Sequence, residues 1–407
     1  MTISLSQRVQ RVSLSANAAA KQRTNDLKKA GVDILDLTTG EPDFDTPEHI
    51  KQAAYEAIAR GETKYTATQG TRALLEAVRN KLQQENQLRF GVENLIIANG
   101  AKQVIFNAFA ATLNDGDEVI VPAPYWPTFP DSVRFNGGTP VLVECHLEQG
   151  YKLQPAQLAA SITPRTRWLV LNHPSNPDGA VYSAAELTSL ADVLRQHPQV
   201  LVMLDDLYEH ILFDGRERRN LLNVAADLQD RTLLVGGVSK TYAMTGWRIG
   251  FGAGPRALIT AMTVVQSQIS SGASSVSQAA ALAAWRGELD FLAPQVATYQ
   301  HRRDELVSIL AGIDGLELAP PQGGFFVFTR CAGLIGRYRP DGAKIEHEAD
   351  VLDYLLENGV SGVAGSAYGL SPYFRLSIAT DTATVIEAGR RIAAACSRLS
   401  PWDRTQN

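Results

Sequence analysis

Residues 238–250 read VSKTYAMTGWRIG. The chain runs apolar through Leu233, Leu234 and Val235, sets Ser239 and Lys240 just beyond that run, and places Arg248 eight residues further on. By residue type alone such a lysine is a solvated loop residue. Two sharper readings compete with that: a ligand for a nucleotide phosphate, or a covalent catalyst that loses its proton among apolar neighbours and bonds a carbonyl as a Schiff base. A phosphate-binding loop requires G-x-x-x-x-G-K-[ST], and Ser239 precedes Lys240 where that pattern has glycine. The dinucleotide fingerprint G-x-G-x-x-G also fails, because residues 250–255 read GFGAGP. No H-E-x-x-H occurs and the seven histidines are scattered, which disfavours a metal site.

Outward from Lys240, apolar runs of strand length alternate with stretches of helical periodicity. Leu95–Ala98, Glu118–Val121, Trp168–Leu171, Val200–Leu204, Leu233–Val235 and Ile249–Phe251 are the expected strands. Lys102–Leu113 and Ala184–Arg195 are expected helices between them. This alternation implies an α/β fold, a mainly parallel sheet with helices on both faces. Further on come a charged helix near Tyr299–Leu310, GGFFVF, a helix near Ala349–Asn358, FRLSIA and a last helix near Thr382–Ser397. That order suits a smaller α+β domain. A chain of 407 residues exceeds one ordinary core. The expected division is residues 1–46 as an N-terminal arm with part of the small domain, 47–298 as the large domain, and 299–407 as the small C-terminal domain.

The balance of 38 basic and 43 acidic residues leaves a net charge of −5, which argues against nucleic acid as a partner. No apolar run approaches the roughly 18 residues that span a bilayer, so no membrane association is expected. The N-terminus shares a Ser-, Ala- and Arg-rich composition with transit peptides but has no secretory apolar core. It is expected to be an arm and helix packed on the body. Cys145, Cys331 and Cys396 are odd in number and far apart, which favours a reducing, cytoplasmic setting over a disulfide framework or zinc site.

Ligands of open α/β sheets bind beyond the carboxyl ends of the strands. The polar stretches NGAKQ (99–103), PAPYW (122–126), NHPSNPDG (172–179), DDLYE (205–209) and SKTYAMTGWR (239–248) all follow expected strands. Five in one sheet suggest one constructed site. Pyridoxal phosphate, the common carbonyl partner of a catalytic lysine, makes demands that these stretches can meet. Its phosphate needs an arginine and the N–H groups of a helix start, supplied by Arg248 and the segment after Gly100. Its ring nitrogen needs a carboxylate, for which Asp205 is placed. Asn176 and Tyr208 suit its ring oxygen, and Trp126 its flat face. Arg375 suits a substrate carboxylate.

Taken together with GEPDFDTP (40–47), KYTATQG (64–70) and FRLS (374–377), these motifs resemble the class I and II aminotransferases of pyridoxal-phosphate fold type I, and in particular the bacterial aspartate aminotransferase branch. The resemblance covers essentially the whole chain. It implies that Lys240 carries the cofactor, Asp205 pairs with the ring nitrogen, Asn176 and Tyr208 serve the ring oxygen, and Arg248 binds phosphate. Gly100, Ala101 and Lys102 form the phosphate-binding helix start, Ser239 adds a hydroxyl and Trp126 stacks. Tyr65 matches a tyrosine that reaches the phosphate of a neighbouring subunit, so a homodimer with shared sites is implied. Gly40 and Arg375 hold the substrate α-carboxylate, with Trp126 and Asn176 beside it. Lys102 contacts the distal carboxylate of dicarboxylic substrates.

Three positions depart from the family. Asp178 stands where threonine is usual, either altering the cofactor's electronics or capping the turn. His173 stands where serine is frequent. Gly237 replaces a serine that would add a phosphate hydroxyl. Asp206 is read as structural, Gly323 and Gly324 as serving backbone geometry, and Tyr368 as pocket wall or packing in equal measure.

The implied reaction is a ping-pong exchange of an amino group from an amino acid, aspartate or glutamate first, to a 2-oxo acid, with Lys240 as general base and then acid. Relatives that accept prephenate carry a basic residue where Val12 stands here, with Arg11 beside it, which counts against prephenate. Aromatic or other amino acids, and a pyridoxal-phosphate C–S β-lyase, remain alternatives on this fold. A ligand-sensing regulator needs a DNA-binding module ahead of the fold, and the stretch before GEPDFDTP offers no room for one.

Overall fold

Leucine-rich and β-branched runs bounded by turn residues form the strands, and near-continuous burial along them requires helices on both faces. In the computed structural model, which describes residues 3–14 and 16–401, the strands in chain order are β1 (Leu35–Asp36), β2 (Leu95–Ala98), β3 (Glu118–Ala123), β4 (Thr139–Glu144), β5 (Thr166–Asn172), β6 (Leu201–Asp205), β7 (Thr232–Gly237), β8 (Gly250–Ala253), β9 (Glu317–Leu318), β10 (Phe326–Arg330), β11 (Val360–Ser361), β12 (Val363–Ala364) and β13 (Tyr373–Ser377). Seven of them form one sheet in the order β2-β8-β7-β6-β5-β3-β4. Only β8 opposes its neighbours; the other adjacent pairs are parallel. The expected α/β fold with a mainly parallel sheet is therefore present.

Alternate residues of the same strands enter opposite cores. Leu169, Leu171, Val202, Leu204 and Leu234 pack into one layer. Trp168, Val170, Met203, Leu233 and Val235 pack into the other, against the helix Ala101–Thr112. That helix lies unusually close to β8. A Cβ on Gly250 would stand 2.3 Å from the Ala101 nitrogen, and one on Gly252 would stand 2.9 Å from Val104. The GFGAG run is thus a surface for helix approach rather than a nucleotide fingerprint.

The remaining strands build an antiparallel sheet, β12-β13-β10-β9, and a parallel pair, β1-β11. This α+β part packs its own core, including Phe326, Leu376, Leu306 and Ile392. Ser377 N donates to Leu37 O at 2.8 Å, so β13 is fastened beside Thr38.

The short strands β1, β9, β11 and β12 were not expected, and two longer elements also differ from the sequence reading. β4 was not expected: it is the edge strand, part-exposed along its length, with Pro140 inside it, so its apolar signal is diluted. The helix expected from Tyr299 begins at Leu292 and runs to Ala311. Pro294 reads as a breaker in sequence, but in the first turn its missing N–H costs nothing. This helix runs across residues 298 and 299. Ala184–Arg195 forms as expected, with Ser183 and Glu186 capping each other's backbone N–H groups.

Behind the carboxyl end of β6 lies a buried ionic cluster. Lys81, from the helix Arg72–Gln84, donates to Glu209 and to Asn86 Oδ1, the latter at 2.7 Å. Asn86 Nδ2 donates to Glu209 Oε2 at 2.6 Å. Burial alone would raise the Glu209 carboxyl, but Lys81, His210 and Arg218 overturn that and hold it at about 2. Its contribution to stability is present above the ordinary carboxylate value of 4.5 and is lost as pH falls toward 2. In Glu209→Ala the buried Lys81 ammonium loses its closest carboxylate, and stability is expected to fall by about 3–5 kcal/mol. A lowered midpoint in urea unfolding at neutral pH checks this; an unchanged midpoint refutes it.

Candidate active site

The strand ends converge on a cleft of about 460 Å³. β6 ends in Asp205, β5 runs out through Asn172 to Asn176, β7 runs out to Ser239 and Lys240, and β3 leads to Trp126. The helix Ala101–Thr112 brings Ala101 and Lys102, and β13 brings Arg375 from the second sheet. Gly40, Tyr208 and Arg248 complete the lining that the sequence singled out.

Lys240 sits between the two sheets. Its Nζ donates to Gly40 O at 2.6 Å and lies 5.8 Å from the centre of the Tyr208 ring and 5.7 Å from that of Phe325. Loss of water around the amine pushes its pKa down to about 8; Arg375 and Arg248 push the same way, while Glu41 and Asp205 oppose. Asp205 is buried, and that burial raises its carboxyl to about 6 against the Leu207 N–H bond and the Lys240 charge. It remains ionised at neutral pH.

Arg248 adopts the left-handed conformation, φ 56° and ψ 54°, rare for a residue with a side chain. The turn aims its guanidinium at the start of the helix Ala101–Thr112, where Nη2 donates to Asn99 O at 3.3 Å and Nη1 to Thr245 O at 2.9 Å. Gly100 caps that helix at φ 83° without a side-chain acceptor. A Cβ there would stand 2.3 Å from Arg248 Nη2. An arginine thus meets the free N–H groups and positive dipole end of a helix, an anion site by construction. Ser239 is buried in the same lining.

Arg375 is almost fully buried. Nη1 donates to Asn176 Oδ1 at 3.0 Å and Nη2 to Thr38 O at 2.9 Å, while Nε has no partner. Its guanidinium stands over the Phe326 ring at 4.1 Å and the Tyr368 ring at 5.0 Å. Tyr368 is therefore packing beneath Arg375 and not part of the cleft lining. Lys102 Nζ lies 5.0 Å over the half-buried Trp126 ring, and burial, with Arg248 nearby, lowers its pKa. Burial pushes the Tyr208 hydroxyl up, so it stays a neutral donor.

Tyr65 lies outside the cleft and is 96% exposed. Asp178 caps a turn: Oδ2 accepts the Ser175 hydroxyl at 2.7 Å and Oδ1 the Ala180 N–H at 2.8 Å, and it does not line the cleft. His173 and Gly237 also stand outside the lining. Gly237 faces Gly250 in the register, and Gly323 packs 2.5 Å from Ile211 O when given a Cβ, so backbone approach explains both. Asp206 is buried and structural, its Oδ2 accepting from Asn220 at 2.7 Å.

The cleft also contains residues that the sequence reading passed over. Asn172 donates to Asp205 O at 2.9 Å and accepts from Asn176 N at 3.0 Å, so one side chain fixes two positions of the cleft wall. Glu41 accepts the Thr245 hydroxyl at 2.8 Å. Lys21 reaches in from the helix Ala16–Lys29, donating to Asp36 Oδ2 at 2.5 Å and Thr39 Oγ1 at 2.8 Å. Asn172 and Glu41 stood inside the motifs NHPSNPDG and GEPDFDTP. Lys21 and Thr39 carried no sequence signal.

The geometry agrees with comparisons against known proteins. The family described as "Aminotransferase class I and II" matches residues 32–392. The aspartate aminotransferase of Rhizobium meliloti (strain 1021) is 51% identical over 388 residues, 95% of this chain and 93% of the relative. An aspartate/prephenate aminotransferase of Cereibacter sphaeroides is 48% identical over 397 residues, 97% of this chain and 99% of the relative. Among solved structures, the Rhizobium meliloti aspartate aminotransferase superposes with a TM-score of 0.96 at 49% identity, covering 98% of this chain and all of that one. The Thermus thermophilus aspartate aminotransferase with maleate gives 0.90 at 39% identity, covering 97% of this chain and all of that one. With the fold, the lysine at the end of β7 and the whole-chain similarity in agreement, the chain belongs to the class I and II aminotransferases.

Proposed function

We propose that this chain is a pyridoxal-phosphate-dependent aminotransferase that moves the amino group of L-aspartate, or glutamate, to a 2-oxo acid by a ping-pong mechanism, as a cytoplasmic homodimer. One observation carries the reading. Lys102, Lys240, Arg248 and Arg375 converge on one cleft, and among the described residues none of the four is ion-paired. Such a site is built for ligands that bring several negative charges.

The residues fit the cofactor. Arg248, the Ala101 N–H and Ser239 suit its phosphate, and Gly100 leaves the space that a Cβ would fill. Asp205 suits the ring nitrogen, Asn176 and Tyr208 the ring oxygen, Trp126 the ring face, and Lys240 the covalent bond. When bound, the cofactor supplies the electron sink for the pair left on the substrate α-carbon. Arg375 holds the α-carboxylate in an orientation fixed by Asn176 and Thr38. Lys102 stands for the distal carboxylate of aspartate. Lys240 takes the proton from the α-carbon and returns it to the product side, with a pKa near the working pH. Asp205, ionised, keeps positive charge on the ring nitrogen.

Tyr65 supports the dimer: an aromatic 96% exposed and remote from the cleft of its own subunit suits a position facing a second one. Three buried, unpaired cysteines suit a reducing compartment. Among the described residues no helix is long and apolar enough to cross a membrane. Several relatives are named for both aspartate and prephenate, so prephenate belongs among the acceptors to be assayed, although Arg11 stands outside the cleft near Asp115, at 3.9 Å.

The visible spectrum of the purified protein tests the reading first. L-aspartate alone, without an oxo acid, is expected to convert the band of the lysine-bound cofactor to that of the aminated cofactor. An unchanged band rejects aspartate, and no band after adding pyridoxal phosphate rejects the role of Lys240. Initial rates with both substrates varied are expected to give parallel double-reciprocal lines. Lys240→Ala is expected to lower turnover by at least about 10²–10⁴-fold, the scale of a lost general base, while near-normal turnover refutes its role. In cofactor-free protein, Lys240 is expected to react with an acylating reagent along a titration centred near pH 8, losing its charge as pH rises; a midpoint above 10 contradicts the geometry.

A further inference from the structure

Beside Asp206, outside the cleft, lies a cavity of about 10 Å³ walled by His173, Pro174, Val181, Asp206, Leu212 and Arg218. Each of its three central polar residues leaves one buried side-chain atom without a hydrogen-bond partner: His173 Nε2, Asp206 Oδ1 and Arg218 Nε. The three side chains are otherwise held. Asp206 Oδ2 accepts from Asn220, Arg218 Nη2 donates to Glu85 O at 2.8 Å, and the His173 ring packs edge-on against Tyr182 at 5.5 Å. Buried polar atoms without partners are rare in native proteins, and three around one cavity point to a shared occupant. A space of this size holds a single water. One water matches the need: it accepts from Arg218 Nε–H and from the protonated Oδ1 of Asp206, whose Oδ2 is taken as an acceptor by Asn220, and it donates to His173 Nε2 in the tautomer that leaves that nitrogen bare.

We propose that this cavity is a built one-water site, and that its water joins His173, Asp206 and Arg218 into a bridge that positions Asp205. His173 follows Asn172 at the end of β5, and Asp206 follows Asp205 at the end of β6; Asn172 and Asp205 are register partners. The Asn172–Asp205 bond fastens these strand ends on the cleft side, and the water fastens the next residue of each. Burial raises Asp206 to about 8, with Glu209 and Asp205 adding and Asn220 and Lys81 opposing, and lowers His173 to about 4. Both are uncharged at neutral pH, with Arg218 the cation beside them; the Glu209 carboxylate, 3.7 Å from Arg218 Nη1, and exposed Glu217 and Arg219 also stand on the wall. His173, a departure from the family pattern, thereby gains a role: serine is too short to reach the same point.

The role toward Asp205 rests on the cofactor reading above; the water site does not. A crystal structure of the holoenzyme that resolves ordered water is expected to show one peak within hydrogen-bond reach of all three atoms. An empty cavity, or direct bonds among the three side chains, overturns the site. In His173→Phe, which keeps a ring but removes Nε2, the peak is expected to vanish and the pH midpoint of the lysine-bound cofactor band to move by about half a unit, with cofactor content retained. His173→Gln, which returns a polar atom, is expected to restore both. A midpoint unmoved in His173→Phe overturns the positioning role. Wild-type protein with the peak but no visible band overturns the cofactor reading and supports the site on its own.

Discussion

The backbone of Gly250 touches the first turn of the helix Ala101–Thr112, and no side chain fits between them. That contact places an uncapped helix start beside the first residue of β8, two residues beyond Arg248. Helix dipole, free N–H groups and guanidinium then reinforce one another at a single point. The left-handed turn at Arg248 is a local cost, and it is held by the Thr245 and Asn99 carbonyls that the guanidinium binds. Remove the close approach and the anion site separates into an isolated arginine and an isolated helix start.

The second constraint joins the two sheets. The segment Thr38–Gly40 lies between them, with Thr38 O accepting from Arg375 and Gly40 O accepting from Lys240. Two cations from different sheets, buried Arg375 and half-buried Lys240, thus share one short stretch of backbone. Carbonyl dipoles stabilise both charges without neutralising either, which leaves them free to meet carboxylates brought by a ligand. Lys21 fastens the N-terminal helix to the same segment through Asp36 and Thr39, so the arm, the small sheet and the large sheet all meet at the cleft.

Much of this was legible in the sequence, and for a physical reason. Strands buried on both faces leave continuous apolar runs, and polar residues just past such runs must serve something other than the core, as Asn176, Asp205 and Lys240 do. What the sequence hid was an edge, a proline in a first turn, and contacts that only the folded chain makes. β4 hid because an edge strand faces water on half its residues. The early start of the helix Leu292–Ala311 hid because proline carries opposite meanings in the first turn and in the interior. Lys21 and Thr39 hid because only the folded chain brings residues 21 and 36 together. The acid at Asp178 left two readings open, and the turn it caps decides between them.

The charges in the cleft also set the direction in which Lys240 changes as ligands arrive. Burial is the largest cause of its lowered pKa, but Arg375 and Arg248 add to it. Anions that bind those two guanidiniums offset the cationic contribution and leave burial opposed by Glu41 and Asp205. The amine then holds a proton more tightly than it did in the empty cleft. Asp205, held near 6 by burial, stays ionised across the same range. Burial thus shifts the two groups in opposite directions, Lys240 toward its neutral form and Asp205 upward but short of neutral pH.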